Sequence, residues 1–128
     1  TWGVTVALFL ACVWLSSIGL QDQNADAPEK ASMTPRQTQF AAAPGFDKVR
    51  DIVVSRCSMC HAATPVWEGL VTAPRHIRLQ SDAEITRAAR DIYLQAGLTD
   101  AMPPANVSAM EAGERAAIRD WFRAARGG

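Results

Sequence analysis

The sequence predicts an all-α fold in three consecutive parts: a transmembrane helix over residues 1–20, a disordered linker over 21–45 and a small helical domain over 46–128. Three observations predict it. Thr1 to Leu20 carries no charged side chain, so all 13 basic and 13 acidic residues lie beyond it. After Phe46, apolar residues recur at helical spacing, twice behind a Ser-x-x-Glu box. No stretch alternates apolar and polar residues as a half-buried strand does. The net charge is zero with the signs interleaved, so nothing resembles the basic footprint of a nucleic-acid-binding surface or a polybasic lipid-binding patch.

Taken in order, Thr1 to Leu20 as a helix rising 1.5 Å per residue reaches the ~30 Å of a bilayer's hydrocarbon core. It lacks the basic flank and small-residue cleavage site of a secretory signal, and Phe9-Leu10-Ala11-Cys12 only loosely matches a lipoprotein box. The reading is a transmembrane helix cut from something longer. Gln21 to Gly45 is rich in Ala, Pro and Gln with few large apolar residues. Such a stretch reads as a tether that holds a domain within reach of its partners.

From Phe46 a helical period begins: Phe46, Val49, Val53 and Cys57 share a face, with Asp47, Lys48, Arg50 and Asp51 on the outside. That helix delivers Cys57-Ser58-Met59-Cys60-His61, the C-x-x-C-H signature of covalent haem attachment. Two thiols at this spacing sit on neighbouring turns and can add to the two vinyl groups along one haem edge. His61 then faces the iron as proximal ligand. The all-α domain is therefore expected to wrap around one haem c, which supplies core that so short a chain lacks. Competing readings explain less. A thioredoxin-like pair expects a βαβ setting, a zinc site from Cys57, Cys60 and His76 lacks a fourth ligand, and a plain disulfide leaves His61 without a role.

Ala62 to Gln80 is punctuated by Pro65, Gly69 and Pro74 and reads as a loop folded over the cofactor. Trp67 is expected to pack on the haem or in the core, and Arg75 and Arg78 are candidate partners of the haem propionates. His76 is the bis-His alternative to a methionine ligand. Ser81-Asp82-Ala83-Glu84 then caps a helix carrying Ile85, Ala89, Ile92 and Ala96, with Gly97 as its stop. Ser108-Ala109-Met110-Glu111 repeats the device ahead of Ala117, Ile118, Trp121, Ala124 and Ala125, the buried stripe expected of the last helix.

Between those helices lies Ala101-Met102-Pro103-Pro104-Ala105-Asn106. Two prolines stiffen the loop and hold the thioether of Met102 still. As sixth ligand opposite His61, a soft sulfur donor raises the reduction potential and leaves no open coordination site. Met59, Met33 and Met110 are worse placed: inside the attachment motif, in the tether and at the start of a capped helix.

The order helix, C-x-x-C-H, loop, helix, Met-Pro loop, terminal helix resembles the small class I cytochrome c family. That resemblance covers Phe46 to Gly128 and implies His61 and Met102 as axial ligands, with a carbonyl near Pro74 accepting the imidazole N–H. A narrower likeness runs through Arg56 to Ala63, Pro65, Trp67, Gly69-Leu70, Ala73-Pro74, Met102-Pro103-Pro104, Asn106, Glu114-Arg115 and Trp121. It looks like the cytochrome c tail of the bacterial membrane-bound urate hydroxylase (urate oxidase) family. It implies a parent oxidoreductase that converts urate to 5-hydroxyisourate, with Thr1 to Leu20 as the last span of its membrane domain and this segment as its electron carrier. The chain departs from that pattern at Arg75-His76 and at Gly113, and it holds no membrane domain.

The resulting expectation is an electron-transfer domain in the periplasm, anchored to the bacterial inner membrane. Its donor is a membrane oxidoreductase domain in the same chain or complex, and its acceptor is a terminal oxidase or another cytochrome. A stand-alone anchored cytochrome, or a cytochrome subunit of another oxidoreductase or terminal oxidase, shares the chemistry with a different partner. A catalytic or sensing haem with an open distal site is the alternative of a different class.

Overall fold

The structure, a computed structural model, describes the backbone of residues 1–21 and 33–127 and the side chains of 1–15 and 33–127. Among the described residues it is helical, with no strand. The chain divides into two compact units, Thr1–Ser32 and Met33–Gly128.

The first unit contains α1 (Trp2–Gln21). Its apolar side chains, among them Trp2, Val4, Leu8, Phe9 and Trp14, are exposed. The expected transmembrane helix over Thr1–Leu20 is nevertheless corrected: among the described residues no helix is long and apolar enough to cross a membrane. Among the described residues the fold is therefore all-α without the predicted membrane span.

The second unit begins earlier than Phe46. Residues 22–32 of the expected linker lie outside the described residues, but the part from Met33 to Gly45 is folded. Thr34 and Gln37 form a reciprocal capping box with Pro35 in the first turn, and α2 (Pro35–Ala42) follows. The low apolar content that suggested a tether concealed one anchor, Phe40, which is 3% exposed. Its ring meets Trp121 edge-on at 5.5 Å, and its carbonyl accepts the Trp121 indole N–H at 2.9 Å. Gln37, also buried, donates to Ala83 O. One aromatic ring and three long-range hydrogen bonds, the third from Gln39 Nε2 to Ala125 O, make this segment part of the core.

Gly45, at φ 87, turns the chain into α3 (Phe46–His61), whose Phe46, Val49, Ile52 and Val53 are buried. After the loop, Ser81 and Glu84 cap α4 (Asp82–Arg87) as expected, and α5 (Ala89–Ile92) continues it. The helical run ends at Leu98, one residue past the predicted stop at Gly97. Its last part is a π-helical segment (Tyr93–Leu98), and Gly97 serves close packing there: a Cβ on it would lie 3.1 Å from Ile118 Cγ2.

The last helix, α6 (Ala112–Gly127), starts one turn later than the Ser108 box implies. Ala109 takes a left-handed φ of 54, which breaks the backbone between Ser108 and the helix. Glu114 accepts the Glu111 N–H at 2.7 Å in its place. The buried stripe is Arg115, Ile118, Trp121, Phe122 and Ala125. Ala124 is exposed, while Phe122 joins a cluster with Phe40 and with Tyr93, whose ring stacks on it at 4.1 Å. α6 thus lies against α2, α3, α5 and the π-helical segment.

Candidate functional site

The C-x-x-C-H motif occupies the C-terminal turns of α3. Cys57 and Cys60 are both half-buried free thiols, and Cys57 packs against the core. Burial, then the neighbouring Cys60 and the Glu114 carboxylate, push the Cys57 thiol up to about 11. It stays protonated at neutral pH. A disulfide-exchange cysteine needs the opposite, a lowered value and a ready thiolate, so the environment disfavours thioredoxin-like chemistry.

His61 ends the helix. Its Nδ1 lies 2.7 Å from Ile77 O. A carbonyl only accepts, so Nδ1 is the donor, and in the neutral imidazole this tautomer turns the Nε2 lone pair to a metal. The acceptor sits three residues beyond Pro74, which is spent elsewhere: its carbonyl accepts the Ile77 N–H at 3.2 Å. The loop is pinned around this bond. Leu79 N–H donates to His61 O at 2.8 Å, Ala63 N–H to Gln80 Oε1 at 2.7 Å, and the amides of Val66 and Trp67 both reach Met59 O.

The remaining loop candidates are placed as follows. Trp67 is 45% exposed, so it is not a core residue of the polypeptide. Arg75 and His76 are exposed and take left-handed φ values of 55 and 56. Arg78 pairs with Glu84 at 3.0 Å. Among the described residues no group of three or more His, Cys, Asp or Glu side chains forms a metal-holding set, so His76 does not complete a zinc site with the two thiols.

Met102 stands in the loop between the π-helical segment and α6, 37% exposed. Its backbone is held from both sides: its N–H donates to Gln95 O at 2.9 Å, and its carbonyl accepts from Arg115 Nη1 at 2.9 Å. Ala105 and Asn106 take left-handed φ values of 49 and 52. Asn106 ties the end of the loop, exchanging two hydrogen bonds with Met110.

The sequence placed Arg56 and Glu114-Arg115 in the family likeness but assigned no role to these charged residues, which connect the parts. Arg56, next to Cys57, forms a two-pronged pair with Glu114 and donates to Ser108 O at 2.8 Å. Burial acts to raise the Glu114 value, but the Glu111 N–H, the hydrogen-bonded Arg56 and the nearby Arg115 prevail and hold its carboxyl below the usual range. Glu114 and Arg115 are adjacent on α6. One grips the attachment helix and the other the methionine loop. Their proximity to Trp121 in a helical pattern was the available signal, but a charged residue at a stripe position reads as solvated.

A haem fits the donor set of this unit: two thiols and an oriented imidazole on one helix, with a partly exposed thioether in a pinned loop. The apolar surface agrees. Apart from Met33, every exposed large apolar side chain of the second unit lies on segments framing these donors: Val54, Val66, Trp67, Val71, Leu98, Met102 and Val107. A flat apolar group is what such residues can cover. No family model, curated protein or solved structure matches the chain.

Proposed function

We propose that the second unit carries one covalently attached haem c and serves as an electron-transfer domain. The observation that carries the reading is the His61 Nδ1 to Ile77 O hydrogen bond in the same helix that presents two unbridged thiols. When bound, the haem supplies reversible one-electron chemistry at its iron. Cys57 and Cys60 hold it through thioether bonds, His61 offers Nε2, and Met102 offers its sulfur. Trp67 and the neighbouring apolar residues exclude water, which keeps the charge change at the metal in a low-dielectric setting. Arg78 is committed to Glu84, which leaves Arg75 as the freer candidate for a propionate.

Covalent attachment of this kind takes place outside the bacterial cytoplasm, so the domain is placed in the periplasm. The donor is an oxidoreductase domain in the same chain or complex and the acceptor a terminal oxidase or another cytochrome. For that oxidoreductase we propose urate hydroxylation, on the strength of the motif resemblance from Arg56 to Trp121. Reduction of the haem by urate in the intact complex checks this; a haem that stays oxidised refutes it.

The deciding experiment exports the chain in a host with haem-attachment machinery. Expected are haem that stays with the denatured polypeptide and a reduced form that resists carbon monoxide until Met102→Ala opens the iron. Absence of covalent haem beside a correctly loaded control cytochrome overturns the proposal. Rapid carbon monoxide binding by the unaltered protein replaces the carrier with the open-site catalytic or sensing reading.

A further inference from the structure

We propose that Arg115 is the positioning residue that holds Met102 at the iron. This rests on the reading of Met102 as a ligand. Arg115 lies on α6, is 9% exposed, and directs its fork into the backbone of the methionine loop rather than into solvent. Nη1 donates to Ala96 O at 2.8 Å, to Thr99 O at 3.3 Å and to Met102 O at 2.9 Å. Nε pairs with Asp100 at 3.1 Å, and Nη2 lies 3.5 Å from Asn106 Oδ1.

These acceptors span the loop from the end of the π-helical segment to the turn after Met102. Such a loop does not hold its own shape. The π-helical segment ends with carbonyls that lack intrahelical donors, and Ala105, Asn106 and Ala109 sit in left-handed conformations that cost free energy. A planar guanidinium can gather several carbonyls in one plane, which an ammonium cannot. Arg119 makes the instructive contrast. It donates to Gly97 O at 2.8 Å, satisfying the same segment, and none of its bonds is to Met102. Capping the π-helical segment and placing the thioether are therefore separable tasks.

The test uses the exported, haem-loaded chain and measures carbon monoxide binding to the reduced form together with the reduction potential. Arg115→Met is expected to keep covalent haem and helical content while binding carbon monoxide at least tenfold faster and losing potential, as Met102→Ala does. Arg119→Met, a comparable loss of a capping arginine, leaves both readouts unchanged. If Arg115→Met does not fold, Arg115→Lys, which keeps the stem and charge, shows the same opening to a smaller degree. A folded Arg115 variant with unaltered carbon monoxide binding overturns the proposal, as does an equal response from Arg119→Met. Failure of the underlying reading has a different signature: Met102→Ala itself then changes nothing.

Discussion

At the end of α3, Cys57, Cys60 and His61 follow one another along one helix, whereas Met102 stands in a loop whose fixed points come from Gln95 behind it and Arg115 ahead of it. The first arrangement is made by helix geometry, and only the Nδ1 acceptor, Ile77 O, must be brought in from outside. The second has no regular structure to rely on and is assembled by hydrogen bonds from another helix. The difference teaches that the proposed attachment half of the site can survive disturbances that dislodge the methionine half. Glu114 and Arg115, adjacent on α6, couple the two regions through Arg56 and the Met102 carbonyl.

The sharpest break in the comparison is on the attachment side. Replacing Cys57 and Cys60 together with Ala removes covalent haem entirely, which haem staining of the denatured chain detects. Because His61 remains, the variant retains weak, extractable haem in place of an attached one.

A smaller effect isolates the methionine side. Gly97→Ala puts a Cβ 3.1 Å from Ile118 Cγ2 and 3.3 Å from Arg119 Cγ, so these two side chains must give way by a few tenths of an ångström. The expected cost is about 1–3 kcal/mol in a denaturant titration. Carbon monoxide binding accelerates while covalent loading is unchanged. Equal damage to both would show that the two regions stand or fall together.

The smallest effect addresses the coupling. The Glu114 carboxyl is held below its ordinary 4.5 in the folded chain. Its contribution to stability is therefore present above that pH and is lost as pH falls through the lowered folded value. Glu114→Gln flattens this acid limb of the stability profile, measured by unfolding at stepped pH: it lowers melting slightly at neutral pH and leaves it unchanged below the folded value. An acid limb as steep as before would show that the Arg56 pair does not couple the regions.

Much of the unit was legible locally. The Ser81 box forms its cap because the reciprocal bonds span only three residues, and Phe46, Val49 and Val53 are buried at the period that placed them on one face. The Ser108 box failed because its competitor was not local. Arg56 takes Ser108 O, and Asn106 takes Met110, so the start of α6 moves to Ala112 and the Ser108 hydroxyl is left buried without a partner. Met33 to Gly45 read as a tether since one phenylalanine says little about burial until Trp121 is known to lie beside it.

By itself, the sequence determined the helical class of this unit, the α3 face and the order of the haem-type donors, because those follow from spacing along one helix and from caps a few residues wide. Only the tertiary structure decided that Ile77 orients His61, that Arg115 holds the Met102 loop and that α2 belongs to the core. Those outcomes depend on hydrogen bonds between residues far apart in the chain, and a buried guanidinium finds its carbonyls only where packing brings them.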